Sequence, residues 1–104
     1  MTLPLAISRQ KEIAQIISDA EAELRPNVER IRWEIGQDWT GDWAIFVRVV
    51  LSNAASRPRR LGQITHQIRT YLREKLRADD LGVIPYVNFR SQAETEDMPE
   101  KAWM

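Results

Sequence analysis

From Ser8 to Arg25 the apolar residues Ile13, Ile16, Ile17, Ala20 and Leu24 recur at intervals of three and four, which lines them up on one stripe of a helix. Ser8 is placed to cap its start, and Pro26 cannot continue its end. At Val28 the period changes to two: Ile31, Trp33 and Ile35 alternate with Arg30, Arg32 and Glu34, the pattern of a half-buried strand that Gly36 stops. After the polar segment Gln37 to Asp42, the β-branched and aromatic run Trp43 to Leu51 reads as the second arm of a hairpin. Because both its odd and its even positions are apolar, this strand is expected at the centre of a sheet, covered on both sides.

A connector with Ser56 as N-cap and Pro58 in the first turn leads into a second helix, whose stripe is Leu61, Ile64, Ile68, Leu72 and Leu76. Asp79 to Gly82 supplies the turn chemistry that ends it. Val83 to Arg90 reads as a third strand, and Pro85, which cannot donate to a ladder, places that strand at an edge. The expectation is therefore an α+β fold in α-β-β-α-β order, a three-stranded sheet with two helices packed on one face, over residues 1–90. Residues 91–104 are expected to form an acidic, flexible C-terminal tail.

At 104 residues, with 43% hydrophobic and 29% charged positions, there is material for one core and not for two. With no cysteine the chain has neither disulfides nor thiolate metal sites, and it carries no apolar run long enough to span a bilayer. A soluble, cytoplasmic protein without a membrane partner is expected. Net charge is zero, so no overall field draws the chain to polyanions. The charges are nonetheless segregated: residues 57–77 carry six arginines and Lys75 against Glu74, while residues 91–104 carry Glu94, Glu96, Asp97 and Glu100 against Lys101.

The order of elements is shared by small RNA-associated folds of the KH-like kind and by unrelated interaction modules with three-stranded sheets. No Gly-x-x-Gly loop is present to extend that comparison beyond architecture.

Catalytic sets are hard to assemble from these residues. The one histidine, His66, sits in mid-helix with no serine elbow, and the four glycines are isolated from one another, so neither a nucleophile-base pair nor a phosphate cradle is indicated. Asp38 and Asp42 flank the hairpin turn, but they lack the further ligands of a calcium loop and fit an ordinary turn. No metal, cofactor or enzyme activity is predicted; an unrecognised carboxylate site ranks last among the functional readings.

Two patterns stand above this background. At about 100° per residue, Arg59, His66, Arg69, Arg73 and Arg77 fall within an arc of roughly 80°, a ridge suited to phosphates or to an acidic protein. A solvated face whose arginine stems cover the sheet edge accounts for the ridge equally simply. Among the four tryptophans, Trp33 is in phase with the core, Trp39 and Trp43 bracket the hairpin turn as partner anchors or as a pair steadying the turn, and Trp103 lies beyond the acidic run as a third anchor. The leading expectation is a small non-catalytic protein-interaction or regulatory module, accessory or antitoxin-like, with a protein partner or self-association. An RNA-associated domain using the arginine ridge is the alternative.

Overall fold

The computed structural model describes residues 3–93. In chain order these form α1 (Leu5–Ser8), α2 (Gln10–Glu23), β1 (Val28–Gln37), β2 (Trp43–Leu51), α3 (Pro58–Leu76), α4 (Ala78–Leu81) and β3 (Ile84–Ser91). The strands make one sheet in the order β1-β2-β3. β1 and β2 pair antiparallel through the hairpin, and β2 and β3 pair parallel, with α3 making the crossover that a parallel connection requires. The predicted α-β-β-α-β order and the α+β class are thus present, with β2 central and β3 at an edge as its Pro85 requires.

The core occupies one side of this sheet. Ile45, Val47, Val49 and Leu51 of β2 pack with Ile13, Ile17 and Ala20 of α2 and with Ile64, Ile68, Leu72 and Leu76 of α3. Trp33, Ile35, Val87 and Phe89 close its margins from the two flanking strands. Leu61, which begins the predicted stripe of α3, is 37% exposed, so the buried face starts one turn later at Ile64.

Among the described residues, the opposite side of the sheet carries no helix. Ala44 and Val50 are nevertheless buried there, outside the main cluster. Val50 is bracketed in the ladder by Arg30 and Arg90, and long arginine stems shield apolar surface while keeping their charge in water. Cover on both sides of β2 is the sequence expectation; a helical layer supplies it on one side, and on the other Ala44 and Val50 are buried as well.

Helix boundaries differ from the sequence reading in three places, each for a local reason. Ser8 closes α1, its hydroxyl donating to the Leu5 carbonyl at 2.9 Å, and Arg9 takes the N-cap position of α2. Ser56 donates its hydroxyl back to the Ser52 carbonyl at 3.0 Å, so extended Arg57 precedes Pro58 at the start of α3. At the far end, Arg77 adopts the left-handed conformation (φ 50°, ψ 59°), which breaks the helix and starts the short α4, and Gly82 (φ 73°) then ends α4. A left-handed non-glycine residue costs about 1–2 kcal/mol, so Arg77→Gly is expected to raise stability by about 1 kcal/mol, read as a higher denaturant midpoint at unchanged m-value.

No helix among the described residues is long and apolar enough to cross a membrane. Chain order at the C-terminal side extends past the predicted strand end: Ser91 still belongs to β3, and the Ala93 amide donates to the Asn53 side-chain oxygen at 3.2 Å. Trp103 lies outside the described residues.

Candidate functional site: the helix-free sheet face and its aromatic hairpin tip

Alternation decides which side chains share the helix-free face. In β1 they are Arg30, Arg32, Glu34 and Gly36; in β2, Ala44, Phe46, Arg48 and Val50; in β3, Ile84, Tyr86, Asn88 and Arg90. The pairing stacks them in rows: Glu34-Phe46-Tyr86, then Arg32-Arg48-Asn88, then Arg30-Val50-Arg90. Among these ladder positions Glu34 is the sole carboxylate against four arginines, and it is tied to Arg48 by an ion pair of 2.8 Å whose arginine side is nearly enclosed.

At the top of the face the hairpin turn is fastened to β3. The Asp38 carboxylate accepts from the Thr40 hydroxyl at 2.6 Å, the Thr40 amide at 2.9 Å, the Asp42 amide at 3.0 Å and the Tyr86 hydroxyl at 2.8 Å. These donors, the Thr40 hydroxyl foremost, hold Asp38 ionised below the usual carboxylate range. The same bond from Tyr86, together with desolvation, pushes the phenol above its ordinary value, because the neutral hydroxyl is the donor. The bonds from Thr40 and Asp42 organise the turn, the structural role this residue type performs in such loops, and the bond from Tyr86 ties the turn to β3.

This fastening fixes three aromatic rings from three segments. Tyr86 lies nearly parallel to Phe46 at 5.5 Å between centroids, and Trp39 is tilted against Tyr86 at 5.6 Å. Trp39 is 83% exposed. Gly41, at φ 89°, gives the turn the left-handed step that brings the chain back to Trp43.

The two turn tryptophans therefore part company. Trp43 is half-buried against the core, and its indole Nε1 is buried without a hydrogen-bond partner among the described residues. Trp39's ring contact is with Tyr86 across the sheet, in place of the cross-turn partner considered from sequence. Phe46, Tyr86 and Asn88 were not among the sequence candidates, although their alternation with Val47, Val87 and Phe89 was a visible signal.

The arginine ridge occupies a separate surface, with Arg59, His66, Arg69 and Arg73 exposed along α3 and Arg77 exposed at its C-cap. Its C-terminal half borders a cleft of about 700 Å³ floored by Leu72, Leu76, Pro85 and Val87, with Arg69, Arg73 and Arg77 at the rim. Acids stand among them: Glu74, Asp79 and Asp80 line the same cleft, and Arg77 pairs with Asp80 at 3.4 Å. Arg69 lays its guanidinium over the Phe89 ring at 5.0 Å, the edge-covering role foreseen as the simpler account of the ridge.

No protein-family model matches this chain, and no curated protein or solved structure matches it either. The geometry carries the functional argument by itself.

Proposed function

We propose that this chain is a small non-catalytic interaction module, an accessory or antitoxin-like cytoplasmic protein, which works by presenting its helix-free sheet face to another macromolecule. The observation that carries this reading is Trp39: a large apolar ring left 83% in water, yet held in place by Tyr86 and by the Asp38 hydrogen bonds. An exposed aromatic that loses little conformational freedom on docking is the kind of residue that dominates binding energy. The arginine ridge is a second reading, favoured by the cleft beside it and weakened by the three acids that line that cleft.

The two surfaces separate in one experiment. Tagged chain is used to capture partners from its native cell extract, with Trp39→Ala and the Arg69→Glu/Arg73→Glu pair in parallel. On the proposed reading Trp39→Ala loses the captured partner while its unfolding free energy stays within about 1 kcal/mol of the parent, since only an exposed ring contact is removed. Loss on the ridge variant alone transfers the function to α3.

A further inference from the structure

We infer that two copies of this chain dimerise through the outer edge of β3, pairing antiparallel about a two-fold axis at Val87 and joining their sheets into one of six strands. The surface is separate from the helix-free face, so nothing here depends on the role proposed for Trp39. An edge, a cleft and an order of charges carry the inference.

Among the described residues β3 is paired on one side alone, to β2, in a ladder that runs through Pro85. A proline has no N–H to give a ladder and sits in an edge strand with its nitrogen turned outward. By alternation Val87 and Phe89 turn their amides the same way. Across a two-fold axis at Val87, the two copies of that residue exchange both backbone hydrogen bonds, and each Phe89 amide donates to the carbonyl of the partner's Pro85. Pro85 is asked only for the acceptor it has. Two helices cover three strands, and the shortfall falls beside this edge, where the cleft of about 700 Å³ is floored by Leu72, Leu76, Pro85 and Val87. A second β3 laid alongside joins the two clefts into one groove walled by both copies of α3, which removes apolar floor from water.

The charges along the cleft select the occupant. Arg69 and Arg73 stand toward the Phe89 end, where the Arg69 guanidinium lies 5.0 Å from the Phe89 ring centroid. Asp79 and Asp80 belong to α4, which leads into β3 just before Pro85, and so mark the other end, roughly 13 Å away along the strand. Arg69, Arg73 and Asp79 make no ion pair among the described residues. A two-fold interface sets one residue against another and repeats the contact with the roles exchanged. Setting Phe89 against the partner's Pro85 therefore carries Arg69 and Arg73 toward the partner's Asp79 and the partner's Asp80, twice over. The acids that spoil the ridge as a polyanion site make the cleft complementary to itself.

The test is analytical ultracentrifugation of the full chain from about 1 μM to 1 mM. The mass is expected to rise with concentration from 12.1 kDa to twice that value. Over the same range, hydrogen exchange at the Val87 and Phe89 amides should slow. Arg69→Glu/Arg73→Glu and Asp79→Lys/Asp80→Lys should each weaken self-association at least about tenfold, because each sets like charges across the axis. Mixed in equal amounts, the two variants should form a heterodimer, since one chain then carries acids at both ends of its cleft and the other carries bases. Heterodimer formation also shows that both variants are folded, and Trp39→Ala should leave the dimer intact.

A monomer at every concentration overturns the inference, as does a dimer that neither charge variant weakens. Exchange at Val87 and Phe89 that does not change with concentration overturns it as well, and that measurement on the parent chain needs no variant to fold. Loss of the dimer in Trp39→Ala alone would move the contact to the opposite face of the sheet and overturn it too.

Discussion

Truncating Leu72 to Ala should destabilise the domain by about 3 kcal/mol, the middle of the range for a fully buried leucine. At roughly 4–8 °C per kcal/mol for a domain of this size, that is a fall of roughly 12–24 °C in Tm. Leu72 is 1% exposed and lies midway along the buried stripe of α3, where that helix crosses the apolar face of β2. A two-layer fold has a single core, so neither layer can compensate for a void between them. Leu61→Ala is the internal control: at 37% exposure the same chemical change should cost less than about 1 kcal/mol. Thermal unfolding of the two variants side by side checks the prediction, and equal costs would place α3 in the wrong rotation about its axis.

The second large effect is expected at Gly82. Its φ of 73° is a conformation that a β-branched residue adopts only under strain, and α4 depends on it to turn the chain into β3. A Cβ there would stand 3.5 Å from the Pro4 Cβ, ordinary contact, so alanine meets backbone strain and little crowding. Valine adds branches toward Pro4 and the start of α1, and Gly82→Val should cost about 2–3 kcal/mol against about 1 for Gly82→Ala. A denaturation series of the two variants reads the difference. The opposite change at Arg77, also left-handed, should stabilise, so the two ends of α4 respond to glycine with opposite signs.

The architecture was legible because the chain announces its periods. Ile13, Ile17 and Ala20 at helical spacing, Ile31, Trp33 and Ile35 at strand spacing, and Pro85 at an edge all point to the observed arrangement. What escaped depends on backbone conformation or on long-range register. Nothing in the sequence marks Arg77 as left-handed, since arginine is an ordinary helix residue and the break comes from the chain's need to turn toward β3. Serines at positions 8 and 56 have the right side chain for an N-cap, but their hydroxyls are engaged by carbonyls three and four residues earlier. The candidate site was half visible. Trp39 was singled out by its place beside a turn, whereas its companions Tyr86 and Phe46 come together only once β3 is aligned in parallel with β2. The run of apolar residues in β2 hid the second face, because Ala44, Phe46 and Val50 look like core in a sequence but lie on the side away from α2 and α3.

The parallel pairing of β2 with β3 also governs how the chain must be made. β2 meets β1 across a five-residue turn, but its other neighbour arrives only after α3 and α4 have been synthesised. Until then a strand as apolar as Trp43 to Leu51 presents an unpaired edge, the template on which chains aggregate. At a synthesis rate of about 5–20 residues per second, the 32 residues between Leu51 and Ile84 keep that edge open for roughly 2–6 seconds. A chain halted within α3 would therefore be a half-sheet with every apolar residue of β2 in place and β1 alone beside it, its other edge unpaired, a product for chaperones or proteases to meet first.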